Sequence, residues 1–195
     1  MNKQREARDR RHRTRQDEII VAARQCFRQS GFHAASMAKL ASAANLSVGQ
    51  IYRYFPSKDA LIEEMVKRII DNRVAAMSDT FDAHSFATTL AWRETLNEDD
   101  EMLMLEVAAE ASRNSRVADI LQAADARIFS NACRNMQLNH PHLSAEQITA
   151  CVEVLAVLVE GTAFRRLTPQ KASAATLQSL YQQLIHHIVK HSEDK

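Results

Sequence analysis

The sequence predicts an all-α protein of about nine helices, a small N-terminal unit followed by a larger helical body. Three observations carry this. Gly and Pro number 3 each in 195 residues, too few for the turns of a sheet protein. Hydrophobic residues make up 46%, enough for a real core. Long stretches rich in Ala, Leu, Gln, Glu and Arg repeat their apolar positions at helical spacing.

The net charge of +1 hides an asymmetry. Residues 1–58 hold 12 basic and 4 acidic side chains, a net of +8. Residues 59–195 hold 13 basic and 20 acidic ones, a net of −7. One end suits a polyanion and the other does not. No apolar run approaches the ~18 residues of a membrane span, and no apolar stretch follows the N-terminal charges as in a secretory signal. Cys26, Cys133 and Cys151 are odd in number and far apart. They read as buried thiols of a reducing cytoplasm rather than a disulfide framework.

Residues 1–12 read as a flexible basic arm. Lys3, Arg5, Arg8, Arg10 and Arg11 face only Glu6 and Asp9, and no apolar periodicity offers a core. Such an arm is either a solvated terminus or a contact for phosphates. The first helix is expected from Thr14, whose pairing with Asp17 resembles a capping box. Ile19, Ile20, Ala23, Cys26 and Phe27 form its buried face. Gly31 should end it, with Phe32 folding back on the last turn.

Ser36 caps a short second helix with Met37, Leu40, Ala41 and Ala44 in one stripe. Asn45 follows, the residue type besides Gly that best tolerates a left-handed turn. The third helix has the clearest start signal: Ser47 and Gln50 match the S-x-x-Q box, and Leu46 with Ile51 form a hydrophobic staple. Ile51 and Phe55 point to the core. Val48, Gly49, Gln50, Tyr52 and Arg53 point outward.

That outer face carries no acid. Small residues permit close approach, Gln and Arg can read base edges, and Ser and Tyr hydroxyls bind phosphates. An ordinary solvated helix is the competing reading, and Gln50 also serves the capping box. Pro56 stops the helix. Ser57 caps the next, and Lys58 in its first turn opposes the helix dipole unless a phosphate lies ahead of it. The fourth helix continues through Leu61, Ile62, Met65, Val66, Ile69 and Ile70 to about Met77.

Two short helices joined by a tight turn, with a polar outward face on the second, make a helix-turn-helix. The run Gly31-Phe32, Ser36, Leu40-Ala41 and Asn45 through Leu61 resembles the N-terminal domain of the TetR family of bacterial transcriptional regulators. The likeness spans residues 13–73. It matches the family pattern Ser-x-Gly-x-(Leu/Ile)-Tyr-x-(His/Tyr)-Phe-x-(Ser/Asn/Asp)-Lys almost throughout. Asn45 stands where the family usually has Gly, Gln50 where it often has Thr or Ala, and Lys39 where it often has an acid.

The resemblance implies DNA-binding roles for Ser36, Lys39, Ser47, Val48, Gly49, Gln50, Tyr52, Arg53, Tyr54 and Lys58. Ser36, Tyr54 and Lys58 would hold phosphates, and Val48, Gln50, Tyr52 and Arg53 would lie against the groove. It also implies a ligand-responsive repressor on palindromic operator DNA, and a body, residues 74–195, that binds an effector and dimerises.

In that body a fifth helix is expected over Ser85–Leu96 and a sixth from Asn97 and the acids at 98–101 to about Ser112. A seventh is capped by Ser115 and an eighth by the Ser144–Gln147 box. A ninth follows Pro169 and carries Leu177, Leu180, Tyr181, Leu184, Ile188 and Val189. The middle of the eighth, Cys151–Val159, is apolar nearly all round and must be covered on several sides. Gly161 would allow close helix contact. The resemblance implies a homodimer through the helices around 144–166 and 172–190.

It also places an effector cavity among the middle helices. Candidate lining residues are Phe86, Trp92, Met102, Met104, Phe129, Cys133 and Met136, with Glu106 or Glu110 as polar anchor. Each taken singly reads as core. His140 with His142, and His187 with His191, lack the partners of a metal site, so no metal and no cofactor are expected. No nucleophile–base pair or Gly-rich phosphate loop appears, so catalysis is not expected. A helical adaptor acting through the last two helices is the alternative, and it leaves the basic arm and Tyr52-Arg53-Tyr54 unexplained.

Overall fold

From residue 2 to residue 30 no Gly or Pro interrupts the chain, and in the computed structural model a single helix fills that stretch. The structure describes residues 2–77, 82–93 and 98–191, and helices are the regular elements among them. Helix α1 spans Asn2–Ala34, broken in geometry at Gly31, where φ is 71° and ψ 166°. Residues 1–12, expected as a separate arm, therefore continue α1 from Asn2 onward. Extending a helix that is already nucleated and packed costs little when the residues are Arg, Gln, Glu and Ala. The cap expected at Thr14 does not form, because no helix begins there. The Thr14 hydroxyl donates to the Arg10 carbonyl at 3.0 Å, and Asp17 pairs with Arg68 at 2.6 Å.

Past the kink, Phe32 is fully buried and sets its ring edge-on against Phe27, 4.5 Å between centroids. Helix α2 (Met37–Ala43) starts at Ser36, whose hydroxyl accepts from the Lys39 N–H. Asn45 then takes φ 53°, the left-handed turn expected of it. Helix α3 is shorter than expected, Val48–Ile51. Its ladder tightens beyond that point: Arg53 N–H donates to Gln50 O and Tyr54 N–H to Ile51 O, bonds of the tighter three-residue type. Helix α4 (Lys58–Ala76) buries Leu61, Ile62, Met65, Val66, Ile69 and Ile70 almost completely.

The remaining helices are α5 (Ala83–Ala91), α6 (Glu98–Ala111), α7 (Ser115–Asn139), α8 (Ala145–Arg165) and α9 (Ala174–His191). Two starts, those of α5 and α7, differ from expectation by a residue or more, each because another polar side chain reaches the orphan N–H groups, while α9 begins after Pro169 as expected. Asp82, not Ser85, caps α5, accepting from His84 and Ser85. Asn114 serves α7 through Arg116 and Val117. Ser173 accepts from Thr176 at the start of α9. The part of the fifth helix expected at residues 94–96, and Asn97 at the expected start of the sixth, lie outside the described residues.

By contacts the chain forms two units: residues 1–69 with 102–122, and 70–101 with 123–195. A single cut after residue 73 would have put all of α6 and α7 in the second. In the first unit, Arg116 pairs with Glu63 at 2.8 Å and Asn114 donates to Asp59 at 3.5 Å. In the second, Ala87, Leu90, Met136, Leu143, Ile148, Cys151, Val152, Leu155 and Ile185 form the core. There Arg73 pairs with the buried Glu101 at 2.6 Å, and Arg127 with Asp71 at 2.5 Å.

Helix α8 is not covered all round by its own chain. Ile148, Cys151, Val152 and Leu155 are buried, yet Val154, Val157 and Phe164 stand exposed. A Cβ at Gly161 would meet nothing within 4 Å, so this glycine makes no close helix contact among the described residues. By length and mean hydropathy (1.5) α8 could cross a membrane, but Glu153 and Glu160 stand exposed along it.

Candidate nucleic-acid interface

Both start signals of α3 act at once. Ser47 Oγ accepts from the Gln50 N–H at 3.3 Å, and Gln50 Oε1 accepts from the Ser47 N–H at 2.8 Å. This reciprocal box fixes the entry of the chain into the helix. Ile51 and Phe55 are buried, so the opposite side must face out. Ser47, Val48, Gly49, Gln50, Tyr52 and Arg53 are all exposed, Val48 and Tyr52 by nearly half. A Cβ at Gly49 would meet nothing within 4 Å, so the space beside it is open. The box engages the Gln50 carbonyl oxygen. Its NH2 remains as a donor, suited to a base or phosphate acceptor rather than to the paired contact that an adenine edge needs.

The phosphate candidates lie around this face, each with a structural partner. Ser36 Oγ caps α2. Lys39, exposed, donates through Nζ to the Ala34 carbonyl at 3.2 Å. Lys58, half-buried, donates to the Phe32 carbonyl at 2.6 Å. Both cations sit on carbonyls at the end of α1, past its kink. Tyr54, half-buried, stacks on His12 with ring centroids 4.9 Å apart. This contact sets the α1 extension beside Tyr54 at His12. His12 was not among the sequence candidates. The missing breaker before Gly31 was the signal that could have found it.

The effector candidates divide. Phe86, Phe129 and Cys133 are half-buried against the core of the second unit, and Met136 is part of it. Burial pushes the Cys133 thiol up from its ordinary value. Trp92 ends α5 and is exposed. Met102 is exposed on α6 and Met104 half-buried. The acids expected as polar anchors have other work: Glu106 accepts from the Phe32 N–H at 2.8 Å, and the buried Glu110 pairs with Arg113 at 2.6 Å. Among the described residues no three His, Cys, Asp or Glu side chains converge as metal ligands. His140 and His142 meet edge to face, while the side chain of His191 lies outside the described residues.

The family described as "Bacterial regulatory proteins, tetR family" matches residues 19–65, which include the buried face of α1, all of α2 and α3, and the start of α4. The chain is 30% identical over 110 residues to the HTH-type transcriptional regulator UidR of Escherichia coli (strain K12). That match covers 53% of this chain and 55% of UidR, so it spans about half of the relative's length. It is 26% identical over 185 residues to the HTH-type transcriptional regulator BetI of Serratia proteamaculans (strain 568), covering 86% of this chain and 90% of BetI. Among solved structures, Salmonella enterica GusR superposes with a TM-score of 0.76 at 22% identity, covering 91% of this chain and 96% of that one. That likeness bears on fold alone.

Proposed function

The chain belongs, by its N-terminal domain, to the TetR family of bacterial transcriptional regulators, and from that premise we propose that it is a sequence-specific DNA-binding regulator, a dimer that represses by occupying a two-fold operator until a small molecule releases it. The observation that carries the DNA reading is the acid-free, exposed face Val48–Arg53, held by the reciprocal Ser47–Gln50 box. In this reading Val48, Gly49, Gln50, Tyr52 and Arg53 lie against the major groove. Ser36, Lys39, Ser47, Tyr54 and Lys58 meet phosphates, and the arginines of the α1 extension add sequence-independent attraction.

A second copy of this chain is the occupant proposed for the exposed stripe Val154, Val157, Phe164 on α8 and for Leu180 and Leu184 on α9. A buried two-fold face explains an apolar helix left half uncovered, and two-fold operators need two reading heads. The effector reading keeps Phe86, Phe129 and Cys133 of the second unit as lining residues, with Trp92 at an exposed position. Met136 serves the core. A ligand would act by favouring a state in which the two α3 faces no longer match successive grooves. The enclosing cell compartment in this reading is the bacterial cytoplasm.

The test is selection from a random duplex pool. The protein should enrich one motif family, with affinity falling steeply as salt rises. Tyr52→Ala and Arg53→Ala should change which sequences are enriched. A protein that enriches nothing would remove the DNA reading and leave the adaptor role.

A further inference from the structure

The end of α1 past its kink, residues 32–34, is held by three charged side chains from three other elements. At the Gly31 kink the Phe32 N–H donates to Glu106 Oε1, 2.8 Å away, on α6. On the other side of the same residue, the Phe32 carbonyl accepts from Lys58 Nζ of α4 at 2.6 Å. Two residues on, the Ala34 carbonyl accepts from Lys39 Nζ of α2 at 3.2 Å. Gly31 makes room for this. Its φ of +71° disfavours any side chain, and a Cβ there would lie 2.9 Å from Glu106 Oε1. The carboxylate and the bare glycine fit only together.

We propose that Glu106 is a positioning residue for DNA reading: its carboxylate sets the α1–α2 corner, and through it the attitude of α2 and α3. This rests on the DNA-reading function proposed above. The reasoning is one of order. Phe32 is buried beneath the half-buried Glu106, so withdrawing the carboxylate takes away the partner that fixes its N–H and leaves that donor to water or to no partner. The corner then relaxes to find another partner. Lys58 and Lys39, the cations assigned to phosphates, hold the carbonyls of that same corner and move with it. A change at residue 106 therefore reaches the DNA face through Phe32, although Glu106 itself faces no base or phosphate.

Three variants test this against a duplex selected by the wild-type protein and a random duplex of equal length. Glu106→Gln keeps an acceptor oxygen and should hold the specific-to-random affinity ratio within roughly threefold. Glu106→Ala removes the acceptor, and Glu106→Asp falls one methylene short. Each should lower that ratio about tenfold, the worth of a hydrogen bond to a charged group. Random-duplex affinity should fall by less than about threefold with its salt slope unchanged, since the phosphate cations shift but keep their charge and number. The Phe32 amide, followed by hydrogen exchange, should lose protection in the Ala and Asp variants and keep it in Gln. A lower melting temperature with an unchanged ratio in the folded Asp variant would overturn the proposal, as would unchanged Phe32 exchange. Should the Ala variant not fold, the Asp variant decides alone. Wild-type protein that shows no preference between the duplexes would instead overturn the DNA reading on which the proposal stands.

Discussion

Replacing Val157 by Glu tests the proposed dimer face directly. Val157 is 60% exposed, Phe164 61%, Leu180 56%, Val154 43% and Leu184 42%. Fully burying such a side chain is worth about 1.5–3 kcal/mol, so covering the exposed half of each contributes about 1 kcal/mol. Five residues counted twice by symmetry give a gross gain of about 10 kcal/mol, within the range of the ~4–15 kcal/mol cost of association. The dimer should therefore be reversible and sensitive to single substitutions. Val157→Glu removes about 1 kcal/mol of apolar gain per subunit and carries two carboxylates into the face, so Kd should rise at least about 30-fold. Sedimentation velocity over a dilution series reads this, with circular dichroism confirming the helices. Val21→Glu, at an exposed position on α1, is the control and should leave association unchanged. A folded Val157→Glu protein that dissociates at the wild-type concentration would refute the reasoning, as would a wild-type protein that stays monomeric throughout.

Other substitutions probe the remaining parts. Asn45 sits at φ 53°, so Asn45→Val should cost about 1–2 kcal/mol and Asn45→Gly almost nothing, read as thermal midpoints. Lys58→Ala should weaken all duplexes alike and lower the salt slope by about one unit. A loss of stability with no change in slope would confine Lys58 to bracing Phe32. Asp82 is held below the ordinary carboxylate range, first by the Ser85 hydroxyl and then by the N–H groups of Ser85 and His84. A depressed carboxylate stabilises above its unfolded pKa and loses that contribution as pH falls through its folded value. The protection factors of the His84 and Ser85 amides, taken against their intrinsic exchange rates, should therefore fall in acid, and Asp82→Asn should flatten that pH dependence.

Much of this architecture was legible because its signals are local. The Ser47–Gln50 and Ser144–Gln147 boxes are reciprocal bonds within one turn, and both form as the spacing says they should. Asn45 was readable for the same reason. Thr14 and Asp17 have a similar spacing and fail, since a cap needs a helix that starts there and nothing upstream stops α1. Other features depend on residues distant in sequence. Glu106 lies 74 residues from Phe32, and no pattern around it distinguishes a pocket acid from a cap for another helix. Lys58 looked like a bare phosphate cation because the carbonyl it holds is 26 residues away. The over-apolar α8 did announce a need for cover, but whether its own chain or a second copy supplies it is a matter of packing.

Hydroxyl-radical footprinting of the wild-type protein on a duplex it has selected tests the central claim most directly. The account predicts two protected patches related by a two-fold axis. Their centres should be about one helical turn, 10–10.5 base pairs, or a multiple of it apart. Protection should also weaken at both patches together in Arg53→Ala. A single patch, or no protection at concentrations where the protein is dimeric, would contradict it.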